Sequence, residues 1–393
     1  MLPSLLVYGL TGAVLFFLGW HVNKREQQSL LKGGAKLPFY SWEIMLSLLI
    51  FSIIAGARYH TGYDHAMYLD QYLHLQKTGD FSRQNFEYGF EWISRFFAWC
   101  NIHYFFYFAF WALLQIGFLY FGLRHHKHLL CWVGLGIMCG SFFLGWMNSV
   151  RQSVVVCLFV ALIPLINDRK FLPYLLIVIV AAFIHKSALL LLPVFLLTFI
   201  DVKEIITNRK VLMGVFACFV ILGVIVGAIP WDKFLGNYQW ILDLIGYSNY
   251  GNTNDPNVVG QFKGLGSWGI SRVPMLLGCI SIIWFYPELK SHFSNDKLLS
   301  YFFVLAYIGM CLYYLLINTT HYILRPIDYF TIFYLIMGAY MMVYLLRTRK
   351  TWVAIFLALV LYTHFIGDVY KGVYRPSRTT VPFIYHTFLI PSI

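Results

Sequence analysis

Leu129–Ile166 reads LLCWVGLGIMCGSFFLGWMNSVRQSVVVCLFVALIPLI, and Arg151 is its one charged residue. Two apolar runs, Leu129–Met147 and Val150–Ile166, meet there with only Asn148 and Ser149 between them. A helix crosses a bilayer with about 20 apolar residues, fewer where the membrane thins or flanking residues snorkel. Each run therefore reads as a span, and Asn148–Gln152 as the tight turn joining them.

The same pattern extends in both directions. Further spans are expected near Leu5–Trp20, Ile44–Ala57, Cys100–Phe121, Phe171–Ile184, Ser187–Ile200, Val211–Ile229, Val273–Tyr286, Leu299–Ile317, Ile327–Leu346 and Thr351–Gly367, about 12 in all. Composition agrees: of 393 residues 60% are hydrophobic, 19% aromatic and 12% charged, whereas soluble domains average about 25% charged. A mean hydropathy of +0.68 spread over the whole length excludes a globular head on a single anchor, and it excludes disorder. The expectation is an all-α polytopic membrane protein, a single integral membrane domain over 1–393. Its net charge of +12 then belongs to topology rather than to nucleic-acid binding.

Orientation follows from the basic connections. Lys24, Arg25, Lys32 and Lys36 follow the first run; every second connection after that is basic again. These are Arg124/Lys127, Arg169/Lys170, Lys203/Arg209/Lys210, Lys290/Lys297 and Arg347/Arg349/Lys350, which with the first four make 16 of the 29 Lys and Arg, in the shorter connections. The positive-inside rule puts that side in the cytoplasm. Met1–Leu10 has no Lys or Arg ahead of its apolar run and no small-residue cleavage site, so no cleavable signal is expected. Both termini are expected outside, with two long extracytoplasmic loops, 58–98 and 230–272. The seven cysteines sit in or beside apolar runs without a CxxC, as small buried hydrophobes rather than disulfides or a metal site.

Outside the basic clusters, the polar residues nearest the membrane fall on one side. Arg58, Asp64, Glu87, Arg151, His185, Lys186, Arg325 and Asp328 lie at outer span ends or in outer loops. Charge in a bilayer is costly and usually has a cavity, a partner or a task, so one outward-facing polar cavity is the simplest arrangement. Asp64 and Tyr68 share a helix face; Asp64 could take a hydroxyl proton, pin an arginine or merely cap the helix beside an interfacial tyrosine. Glu87 could equally be a solvated loop acid. Arg151 could snorkel, or grip phosphate oxygens with its planar fork. His185-Lys186-Ser187 could simply turn a hairpin, and Pro326 after Arg325 suits a first helical turn.

Other patterns carry less. Gly264–Gly269 satisfies GxGxxG without a preceding strand and reads as a flexible loop. His125-His126-Lys127-His128 sits on the basic side and reads as an orientation signal. The outer rings Tyr238, Trp240, Tyr247, Tyr250 and Trp268 could stack on sugars or form a membrane-interface belt. DxD, HExxH, GxSxG and Walker patterns are missing from the sequence, so chemistry without NTP, nucleotide sugar or zinc is expected, with no cofactor.

In type and order, several short motifs together resemble the EpsG-like branch of the Wzy-type O-antigen and capsular polysaccharide polymerases. They are Arg58 with Gly62-x-Asp64-x-x-x-Tyr68, Glu87-x-Gly89-Phe90, Val150-Arg151-Gln152, Phe183-Ile184-His185-Lys186-Ser187-Ala188, and Arg325 with Tyr329-Phe330. The likeness runs from about residue 40 to 350. It implies a GT-C-like helical fold and a metal-independent glycosyltransferase of the bacterial inner membrane, which joins oligosaccharide repeat units carried on undecaprenyl diphosphate at the outer face. It also implies catalytic roles for Arg151, His185, Arg325 and Asp64, and substrate binding by Arg58, Tyr68, Glu87, Gln152 and Lys186, the last in a variable slot. Membrane lipid, the lipid-linked oligosaccharide, a chain-length regulator and a flippase are the implied partners.

The residue chemistry suits that expectation. The donor leaves as a lipid diphosphate, so the enzyme must neutralise growing negative charge, a task for Arg151 and Arg325. It must also deprotonate an acceptor hydroxyl, a task for His185 or Asp64. A lipid-linked oligosaccharide flippase, an O-antigen ligase and a polytopic O-acyltransferase are the rival readings. A flippase needs charged sites near the midplane with access from both sides, and these groups crowd one face.

Overall fold

The computed structural model describes residues 2–59, 61–82, 86–202, 204, 207–227, 272–319, 324–374, 385 and 387. The loop expected over 230–272, with its rings and its glycine string, lies outside them apart from Arg272; so do His321, Tyr322 and Ile323. In chain order the helices are α1 (Leu2–Leu31), α2 (Trp42–Ala57), α3 (Tyr63–Thr78), α4 (Tyr88–Trp99), α5 (Tyr104–Gly122), α6 (Leu130–Cys139), α7 (Phe142–Asn148), α8 (Val150–Asn167), α9 (Phe171–Ala182), α10 (Arg209–Gly227), α11 (Val273–His292), α12 (Leu299–Leu316), α13 (Asp328–Arg347) and α14 (Thr351–Tyr374). A 3₁₀ segment, Lys186–Phe199, follows α9. Among the described residues there is no strand, only an isolated antiparallel bridge between Arg58 and Thr387.

The protein is thus an all-α polytopic membrane protein. Among the described residues, seven helices are long and apolar enough to span: α1, α5, α8, α10, α11, α12 and α13. The pair α6–α7, bent by 63°, makes an eighth, and four shorter apolar segments complete the series: α2, α9, Lys186–Phe199 and the first part of α14. Over its described residues, each of the twelve runs read from the sequence falls on one of these. The 3₁₀ segment is compact in sequence and long in space. At about 2.0 Å per residue its 14 residues reach about 28 Å, near the roughly 30 Å of a hydrocarbon core.

Two compact units form. One comprises Met1–Ala188 with Gly338–Ile393, the other Leu189–Met337. In the first, α1 packs along α6 and α2, α2 along α5, and α5 along α8. The basic end of this unit is fastened by ion pairs on two buried carboxylates. Glu43, fully buried, accepts from Arg25 (2.6 Å) and pairs with His21 Nδ1 (2.8 Å). Lys127 bonds to Glu26 and donates to the Leu37 carbonyl (2.5 Å). In the second unit α10 packs on α12 and α11. Asn318 ties Arg272 (3.3 Å) to the Gly223 carbonyl (3.1 Å), and Arg209 pairs with Glu288 (2.8 Å).

Segment 58–98, expected as a loop, carries α3 and most of α4. Gly62, at φ 94°, makes the left-handed turn that starts α3. The apolar run expected as one span over Leu129–Met147 breaks at Ser141, which holds φ 64°. Its second half, α7, ends at Ser149, and α8 begins at once. Freed carbonyls at this break are satisfied by protein, as a bilayer requires. Gln115 Nε2 donates to Trp146 and Val150 (3.4 and 3.2 Å), and Arg58 Nη1 to Met147 (2.9 Å).

Candidate active site

At the end of the first unit away from the buried Lys127, one carboxylate gathers three elements. Glu87 stands at the N-cap of α4 and is 8% exposed. Its Oε2 pairs with Arg151 Nη1 from the first turn of α8. Its Oε1 lies 3.0 Å from His185 Nδ1 and accepts from the Lys186 backbone N–H at 3.2 Å. Arg151 Nε donates to the Tyr68 hydroxyl of α3 (3.2 Å). The guanidinium lies over the rings of Phe86 (5.0 Å), Phe90 (5.3 Å) and Tyr68 (5.8 Å), which position the fork and exclude water from its faces.

The chain holds His185 there through main-chain bonds. Gly89 and Phe90 N–H groups donate to the Phe183 carbonyl (2.8 and 3.3 Å). A Cβ at position 89 would come within 2.8 Å of that oxygen, so only glycine permits the approach. The start of α4 and the α9 terminus are therefore clasped twice, by backbone at Gly89 and by side chain at Glu87.

Electrostatics fix the states of the groups. Burial works against an ionised Glu87, but the bond from His185, then the charge of Arg151, outweigh it and hold the carboxyl at about 2. A carboxylate only accepts, so His185 Nδ1 carries a hydrogen, and Nε2 is the ring nitrogen that can exchange a proton. One anion thus sets an imidazole tautomer and anchors a guanidinium.

The other expected residues fall around this cluster or apart from it. Asp64, half-buried in the first turn of α3, donates its backbone N–H to Asn148 Oδ1 (3.0 Å) from α7. Arg58 is 1% exposed; Nε donates to the Ala55 carbonyl (2.9 Å), Nη1 to Met147, and the guanidinium stacks over Phe108 at 5.7 Å. It joins the end of α2 to the α7–α8 break. Gln152 is buried next to Arg151, and the Lys186 side chain is exposed. Arg325 belongs to the second unit, in a 3₁₀ turn heading α13.

Three contributors have no site role in the sequence reading: Phe86 does not figure in it, Asn148 figures only in a turn, and Gly89 only in the Glu87 motif. Phe86 supplies the nearest ring to Arg151, Asn148 caps α3, and Gly89 allows the clasp. The Glu-x-Gly spacing was the available signal for the last. Among the described residues no three His, Cys, Asp or Glu gather as a metal-ligand set.

Residues 42–383 match the model of the EpsG family. No curated protein and no solved structure matches the chain.

Proposed function

The chain belongs to the EpsG family, Wzy-like membrane proteins related to polysaccharide polymerases, and from that membership and the Glu87 cluster we propose that it is an oligosaccharide repeat-unit polymerase. It works at the outer face of the bacterial inner membrane, with both termini on that side, and takes its donor on undecaprenyl diphosphate. The observation that carries this reading is the double hold of Glu87 on His185 and Arg151. Glycosyl transfer from a lipid diphosphate needs a base and a cation close together, and here they share one anchor.

In the step envisaged, an acceptor hydroxyl attacks the anomeric carbon of the donor sugar. The bond from that carbon to the diphosphate oxygen breaks, and lipid diphosphate leaves with the electron pair. His185 Nε2 takes the hydroxyl proton, and Glu87 stabilises the imidazolium so formed. Arg151 meets the leaving diphosphate with charge-assisted hydrogen bonds, aided by the Tyr68 hydroxyl, which accepts from Arg151 and so turns its own hydrogen outward. Asp64 orients the acceptor. Arg58 acts from below, holding the α7–α8 break that carries Arg151, and Gln152 is buried beside that arginine. A flippase supplies the donor, and a chain-length regulator acts beside the polymerase.

The surface-polysaccharide banding of a deletion strain tests the assignment. A polymerase mutant leaves single-repeat chains. Unattached full-length polymer would indicate a ligase, loss of all surface product a flippase, and full-length chains lacking an ester an acyltransferase; each would overturn the proposal.

A further inference from the structure

The exposed face of α4 is made of rings alone. Tyr88 (68% exposed), Trp92 (68%), Phe96 (57%) and Trp99 (83%) recur at helical spacing along one side. The opposite side, Phe90 and Ser94, is buried. A helix facing water carries polar residues on its outer face, and here Glu91 and Arg95 pair along the flank instead, at 2.8 Å.

The level of this helix is fixed by its neighbours. α4 crosses α5 obliquely, Phe97 meeting Phe110 (5.1 Å) and Phe90 meeting Trp111 (5.1 Å), while Arg95 in its second half pairs with the exposed Asp80 (3.3 Å) and so marks the end nearer water. From Tyr104 to Trp111 the rise is about 10 Å along α5, and α5 is one of the apolar spans. The start of α4 therefore lies well inside the extent of that span. There it abuts the end of α9, whose Leu176, Val180 and Phe183 are exposed and apolar, so Tyr88 continues an apolar surface.

A helix start without water must have its amide hydrogens satisfied by protein. Here the Gly89 and Phe90 N–H groups, two of those that no preceding helical turn can serve, donate to the Phe183 carbonyl.

We propose that α4 is a half-membrane helix lying in one leaflet beside α5, with bilayer lipid covering its Tyr88–Trp92–Phe96–Trp99 face. Trp99 sits at the headgroup layer, where indole rings are favoured, and Tyr88 lies deeper, among the acyl chains. A molecule with a hydrocarbon tail then reaches the surroundings of Glu87 past Tyr88 without leaving the leaflet. The placement of α4 does not depend on the reaction proposed above.

Spin labels test it. Tyr88→Cys, Trp92→Cys, Phe96→Cys and Trp99→Cys are made singly in the full chain, with the exposed cysteines Cys100 and Cys218 replaced by serine. Each is reconstituted in phosphatidylethanolamine–phosphatidylglycerol vesicles, and collisions with oxygen and with a water-soluble nickel chelate are compared. The expected result is oxygen-dominated relaxation at 88 and 92, shifting toward nickel at 99, with a label at the exposed Tyr40 (76%) as the aqueous control. Nickel-dominated relaxation at 88 and 92, equal to that at 40, would overturn the proposal. So would dipolar coupling between labels on separate molecules, which would mean that a second copy covers the stripe. Brominated lipids give a second readout without cysteines: Trp92→Phe with Trp99→Phe should lower the quenchable fluorescence of the protein, and unchanged quenching counts against the idea.

Discussion

Replacing Glu87 by glutamine keeps shape and removes the charge that the cluster is built on. The carboxyl is held at about 2 rather than 4.5, and at about 1.4 kcal/mol per pH unit that preference is worth about 3 kcal/mol. Removing one member of a buried ion pair typically costs about 3 to 5 kcal/mol, so the two routes agree near the lower figure. The folded-state pKa lies below the unfolded one. The contribution is therefore complete above about pH 4.5 and is lost as pH falls toward 2. Denaturant or thermal unfolding of the detergent-solubilised protein, followed across that range, should show Glu87→Gln less stable than wild type by about 3 kcal/mol at pH 7. The gap should close on acidification. Activity should fall by about 100-fold or more, because the base loses its fixed tautomer. Equal stability at pH 7 with an unchanged acid limb would refute the reasoning, since Glu87 would then not be paired in the folded protein.

Arg151→Ala should give single-repeat chains at normal protein abundance; wild-type chain lengths would remove its donor-binding role. Gly89→Ala places a methyl within 2.8 Å of the Phe183 oxygen and should lower activity at least 10-fold by displacing His185, as read from chain-length distribution. Ser141→Gly relieves a left-handed backbone at φ 64°, which costs a non-glycine residue about 1 kcal/mol, and should raise the unfolding midpoint; a lowered midpoint would mean that the serine side chain is needed at the bend.

The spans were legible because each is an apolar run bounded by polar residues, and such runs have little choice but to become helices in a bilayer. The break inside Leu129–Met147 was not: Gly140-Ser141 is apolar enough on average to pass as helix, and only the φ of Ser141 marks it. From sequence α3 and α4 read as loop, because α3 is polar overall and α4 is short, while the four-residue spacing of Asp64 and Tyr68 does mark one helix face. Glu87, Arg151 and His185 stood out as charges and an imidazole at span ends. Their pairing did not, since Glu87 is 64 residues from Arg151 and 98 from His185. Lys127 carried the opposite lesson. It was counted as a topology signal, yet it is buried against Glu26 of α1, because a sequence shows the sign of a charge and not the counter-ion another helix brings.

The central claim is that this cluster joins repeat units, and the most direct measurement uses purified protein in vesicles with undecaprenyl-diphosphate-linked repeat units as the only substrate. The account predicts a ladder of lengthening glycans and release of undecaprenyl diphosphate in step with each bond formed, both abolished by Arg151→Ala. A wild-type protein that leaves the lipid-linked units unchanged, or a ladder that persists in Arg151→Ala, would contradict it.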